Sequence, residues 1–60
     1  MLKVKVTMSN EDKTVSRTFT TENPVVMSDE DAFINESVSK VLEDFDTAPK
    51  KIKVIATLEM

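Results

Sequence analysis

Hydrophobic residues fall on every second position from Leu2 to Met8, with Leu2, Val4, Val6 and Met8 on one side and Lys3, Lys5 and Thr7 on the other. Successive side chains of an extended backbone point to opposite faces, so this period of two marks a half-buried strand. The alternation returns from Thr14 to Thr20, where Val15, Arg17 and Phe19 share one side and Thr14, Ser16, Thr18 and Thr20 the other. A third run, Lys51 to Leu58, turns Ile52, Val54, Ala56 and Leu58 inward and Lys51, Lys53, Ile55 and Thr57 outward. An outward isoleucine is ordinary taken singly, but Ile55 would also favour an interface on that face of the sheet.

Between the second and third runs the period becomes helical. Ile34, Val38, Val41, Leu42 and Phe45 recur at intervals of four, three, one and three, which lines one stripe of a helix. Ser28 is placed to cap it, Asp31 holds the third helical position of a capping box, and Met27 and Ala32 are spaced as a hydrophobic staple. Asp29, Glu30 and Asp31 fill the first turn, where negative charge meets the positive end of the helix dipole. Pro49 closes the far end, because proline cannot continue a helix. Upstream, Ser9, Asn10, Glu11 and Asp12 predict a hairpin turn in which Asn and Asp take the left-handed conformation that glycine would otherwise supply. Asn23-Pro24 predicts a turn or extended linker before the helix.

Two residues stand off these patterns. Arg17 shares its side with Val15 and Phe19, so either its stem lies along the core margin with the guanidinium reaching water or a helix carboxylate, or it is a cation facing a ligand. Phe33 lies about 120° from the centre of the helix stripe at 100° per residue. It is either a flank packed under the Pro24–Met27 segment or an apolar anchor in an interface.

The expected architecture is a single α+β domain over residues 1–60, with strands at about 2–8, 13–20 and 51–59 and a helix at about 29–45. A hairpin followed by a helical crossover that skips one strand gives a β-β-α-β sheet of order 2-1-3, with the helix on one face. The uninterrupted apolar side of the first strand suits the central place. At 60 residues the core is small, and chains of this size commonly need a disulfide, a metal or a second subunit. With neither Cys nor His in the chain, a homodimer is the expected remedy, and the open sheet edges are natural places for it. A start at Met1 that enters strand pattern at Leu2 predicts a complete short reading frame. The lack of an apolar run near ~20 residues and of a secretory pattern predicts a cytoplasmic protein.

Charge is the feature that bears on function. Residues 21–48 carry Glu22, Asp29, Glu30, Asp31, Glu36, Glu43, Asp44 and Asp46 against Lys40, a net −7, while each flank is +2 and the chain −3. Zero Gly excludes a glycine-rich phosphate loop, and the absence of His and Cys removes the usual general base and the best nucleophile. Adjacent Asp29, Glu30 and Asp31 diverge around a helix and no calcium loop accompanies them, so no metal, no cofactor and no catalytic residue is expected. Two binding surfaces remain. An acidic helix surface of Asp29, Glu30, Asp31, Glu36, Glu43 and Asp44, with Phe33 as anchor, would meet a basic protein surface and could imitate a phosphate backbone. The alternative is a nucleic-acid face of Lys3, Lys5, Lys51 and Lys53 on the outer side of the sheet, which lacks the aromatics on which bases stack.

Two strands, an acid-capped helix and a last strand, at this size and charge, form a layout similar to that of small dimeric phage inhibitors of uracil-DNA glycosylase. It also resembles short uncharacterised domains of low-GC Gram-positive bacteria and their phages. Both likenesses extend over most of the chain in element order alone and carry over no residue roles. The expected function is that of a small, acidic, non-enzymatic regulator or inhibitor of phage type, acting as a homodimer on a basic partner such as a DNA-handling enzyme. A structural assembly subunit is the third alternative.

Overall fold

The computed structural model describes residues 1–59 and contains the strands β1 (Leu2–Ser9), β2 (Thr14–Thr21) and β3 (Lys51–Leu58), with helices α1 (Pro24–Met27) and α2 (Glu30–Leu42) between β2 and β3. The sheet order is β2-β1-β3, and β1 is antiparallel to both neighbours. This is the expected α+β arrangement, with one main helix on one face. Because β1 is central, its inward residues are shielded on both sides as well as from above. Leu2, Val4, Val6 and Met8 are at most 1 % exposed and, with Val41 and Phe45, make up the core. Val15, Phe19, Met27, Phe33, Ile34 and Val38 pack around it.

The hairpin is closed without any left-handed residue, since no positive φ occurs among the described residues. Asn10 does the work instead. Its backbone N–H donates to the Lys13 carbonyl at 3.0 Å, and its Oδ1 accepts from the N–H groups of Asp12 and Lys13 at 2.9 and 3.0 Å. A side-chain amide standing in for a backbone turn satisfies the loop locally.

The approach to the main helix also differs from the sequence expectation. Residues 24–27 are not extended: Asn23 Oδ1 accepts from the N–H of Val25 at 2.9 Å, and Pro24 opens a single turn, α1. Ser28 therefore ends α1, its Oγ donating to the Val25 carbonyl at 2.7 Å. Asp29 caps α2 in its place, accepting from Ala32 at 3.3 Å. The capping box and staple drawn on Ser28 are thereby out of register by one residue. Helical structure also stops at Leu42, and the chain tightens through Asp44→Val41 and Phe45→Leu42 backbone bonds, both 3.0 Å, which return Phe45 to the core.

α2 packs on β1 and β2, and not comparably on β3. Its buried stripe is centred on Ser37 and Val41, about 60° around the helix from the stripe drawn through Leu42. The turn brings Phe33 in and Leu42 out. Phe33 is partly buried against the core beside α1, the flank position rather than an open surface, while Leu42 is 39 % exposed. Ser37, at 2 % exposure, satisfies its hydroxyl by donating to the Phe33 carbonyl at 2.8 Å.

Charged ties gather on the same, covered side of α2. Arg17 reaches Asp44 at 3.8 Å, Lys13 donates to the Asp44 carbonyl and lies 4.7 Å from the Phe45 ring, and Lys40 stands 5.9 Å from the Phe19 ring. Every one of these links the C-terminal half of the helix region to the β1–β2 hairpin. A helix about 10 Å wide spans two strands spaced about 4.8 Å apart, and here those strands are β2 and β1. The inward face of β3 is left bare: Ile52, Val54 and Leu58 are 53, 38 and 54 % exposed. The radius of gyration, 12.1 Å, exceeds the about 10 Å of a closed domain of this length.

Candidate binding surfaces

The acidic residues occupy the helix layer in two groups. Asp29, Glu30 and Asp31 ring the start of α2, and Glu36 and Glu43 lie within about 20° of each other on its solvent side, counting 100° per residue. Along the axis Glu36 and Glu43 stand about 9 and about 20 Å from Glu30 at 1.5 Å per residue. Asp44 follows in the turn. Several of these carboxylates are engaged within the chain: Asp29 caps α2, Glu36 pairs with Lys40 at 3.3 Å and Asp44 with Arg17 at 3.8 Å. All the partners are well exposed, so the pairs hold geometry more than they add stability. Arg17 thus takes the place expected of a core-margin cation, with its guanidinium on a carboxylate at the end of the helix.

Lys3, Lys5, Lys51 and Lys53 lie on the opposite side of the molecule. The register sets Lys3 against Thr57, Lys5 against Ile55, Lys53 against Thr7 and Lys51 against Ser9, while β2 contributes Thr14, Ser16, Thr18 and Thr20 to the same face. No lysine stands directly across from another, which avoids like-charge pairing across strands. The face is a staircase of ammonium groups on a hydroxyl-rich surface, tied at one place by a 3.1 Å Thr7–Ser16 hydroxyl contact and at another by Lys3 and Glu59 at 3.9 Å. Phe19 points inward, Phe33 rides on α2 and Phe45 is buried, so none of the three aromatics of the chain is presented on it.

Among the described residues, no group of three or more acidic or other metal-ligating side chains converges, and no helix is long and apolar enough to cross a membrane. Surface hollows near the hairpin are lined by Ser9, Asn10, Glu11, Lys50 and Lys51 and by Asn10, Asp12, Lys13, Asp46 and Thr47. Both are open to solvent and lined by polar and charged residues.

The pattern of residues did not disclose a third surface, the bare inward face of β3. Ile52, Val54, Ala56 and Leu58 occupy the inward side as expected, yet every residue of Lys51–Leu58 is exposed. Leu42 stands about 160° around α2 from Lys40, and Lys40 marks the β2 side through Phe19. Leu42 therefore lies on the side of α2 away from β2, exposed like the inward residues of β3. The one sequence signal was Ile55, 47 % exposed on the outer side of the same strand. Comparison with protein-family models, with curated proteins and with solved structures finds no match to this chain.

Proposed function

We propose that this chain is a small non-enzymatic binding protein, a regulator or inhibitor whose acidic helix side engages a basic surface of a partner protein. The observation that carries the reading is the separation of charge through the thickness of the fold. Glu30, Asp31, Glu36, Glu43 and Asp44 stand in the helix layer, and Lys3, Lys5, Lys51 and Lys53 on the far side of the sheet. Such a field attracts a cationic surface to one side, orients the encounter and rejects the other face. A groove shaped for nucleic-acid phosphates is a target of the right sign, which makes a DNA-handling enzyme the leading class of partner. Phe33 sits too deep to lead the contact, so the carboxylates carry it.

Affinity capture from a host extract tests this with two opposed variants. Glu36→Lys with Glu43→Lys should abolish retention of the specific partner while leaving the thermal transition nearly unchanged. Lys5→Glu with Lys53→Glu should leave retention intact. Loss of the partner only in the lysine variant would overturn the proposal. That outcome would favour the second reading, a nucleic-acid face, which the alignment of four lysines on one uncovered sheet surface supports.

A further inference from the structure

We propose that β3 is a dimerisation strand: two copies of this chain join their β3 edges antiparallel about a two-fold axis at Ile55, making one continuous six-stranded sheet. The inference stands apart from the acidic-surface reading, and failure of either leaves the other untouched.

The hydrogen-bonding parity of the strand comes first. Glu59 N–H donates to the Met1 carbonyl at 2.8 Å and the Met1 amine to the Glu59 carbonyl at 2.6 Å, a mutually bonded pair. Antiparallel ladders alternate bonded and non-bonded pairs, so Thr57, Ile55 and Lys53 turn their backbone groups toward Lys3, Lys5 and Thr7. The N–H and C=O groups of Ile52, Val54, Ala56 and Leu58 consequently point out of the open edge. The opposite edge, on β2, is guarded by the inward charge of Arg17, a common device against edge pairing. β3 has no inward charge and no proline within Lys51–Leu58.

The side chains then select the partner and the register. On the outer face the sequence Lys51, Lys53, Ile55, Thr57, Glu59 is the complement of its own reverse. With the axis at Ile55, Lys51 faces Glu59 of the second copy, Lys53 faces Thr57, and Ile55 faces Ile55. On the inner face Ile52 lies beside Leu58 of the second copy and Val54 beside Ala56. Ile55 falls in a non-bonded pair, the type in which opposed Cα atoms approach to about 4.5 Å and side chains meet most closely.

Sliding the axis to Val54 sets Lys53 against Ile55 and leaves Glu59 without a cation opposite. Sliding it to Ala56 sets Ile55 against Thr57 and strips Lys51 of a partner. Only the Ile55 axis gives the outward isoleucine an apolar neighbour and Lys51 an opposite charge. A heterologous strand would have no reason to carry this reversed complement, whereas a second copy carries it by identity. The two-fold also keeps both α2 helices on one side and Lys3, Lys5, Lys51 and Lys53 of both copies on the other.

Because the chain has no cysteine, single introduced thiols read out the register. Under mild oxidation Ile55→Cys should yield a covalent dimer, since the expected Cα separation suits a disulfide. Thr57→Cys alone, facing Lys53, should not, but Lys53→Cys combined with Thr57→Cys should. Ala56→Pro removes an N–H that points out of the open edge and none that bonds β1. It should raise the dimer dissociation constant on the order of 100-fold in sedimentation equilibrium while keeping the circular dichroism of the fold. A native chain that stays monomeric at high micromolar concentration would overturn the proposal. So would a dimer that survives Ala56→Pro, or one cross-linked by Thr57→Cys alone but not by Ile55→Cys.

Discussion

Val6 and Val54 face each other across β1 and β3 in the sheet register, yet the structure gives them opposite surroundings. Val6 is 0 % exposed and enclosed by two strands and α2, whereas Val54 is 38 % exposed on the uncovered strand. Truncating each to alanine is therefore a matched test of where the core ends. Two methyl groups removed at Val6 forfeit about 1.6 kcal/mol of transfer energy. The cavity left between β1 and α2 brings the loss to about 2–3 kcal/mol. At Val54 only the shielded part of the side chain counts, about 1 kcal/mol, and no enclosed cavity forms because one side is open. In a chain of this size each kcal/mol moves Tm by about 4–8 °C, so Val6→Ala should lower it by about 10–20 °C and Val54→Ala by about 4–8 °C. Thermal unfolding followed by circular dichroism at a concentration where sedimentation verifies the monomer reads the difference; disappearance of the transition counts as the larger effect. Equal losses at the two positions would refute the half-covered sheet, because they would require β3 to be packed as deeply as β1.

Three smaller effects follow from local contacts. Asn10→Ala should cost about 1–2 kcal/mol in urea unfolding, since two turn N–H groups lose their acceptor. Asp29→Ala should cost about 1 kcal/mol through loss of the α2 cap, more than Ser28→Ala, which removes one exposed bond to the Val25 carbonyl; the reverse order would return the cap to Ser28. Asp44→Asn should change stability by less than about 1 kcal/mol, its pair with Arg17 being exposed to water, and a larger loss in a thermal scan would show that this tie is what holds α2 over β2.

The parts of the fold legible in advance were those written in a single local period. β1 alternates without a break because it is central, and that break-free side is the side found at 0–1 % exposure. Inward and outward assignments on all three strands agree with the register, residue by residue. The helix face was less legible, because Leu42 and Phe33 are both apolar and each can complete a stripe with Val38 and Val41. Periodicity counts apolar positions and carries no information on how many strands a helix will cover. The seating of α2 over β1 and β2 decides between Leu42 and Phe33, and Arg17 and Lys13 on Asp44 and Lys40 near Phe19 accompany it. Cap position failed for a similar reason: Asn23-Pro24 starts a helical turn of its own, which takes up Ser28 before α2 begins. Of the candidate surfaces, the two charged faces follow from parity and helical angle. The bare apolar strip on β3 appears only once α2 is seated over the other two strands.

Amide hydrogen exchange along β3, followed as a function of protein concentration, tests the central claim most directly, that β3 is an open edge awaiting its own copy. In dilute solution the N–H groups of Lys53, Ile55 and Thr57 should be protected by β1 while those of Val54, Ala56 and Leu58 exchange freely, and raising the concentration should slow the second set until the two behave alike. Protection of Val54, Ala56 and Leu58 that is already present at high dilution, or that never responds to concentration, would contradict the account.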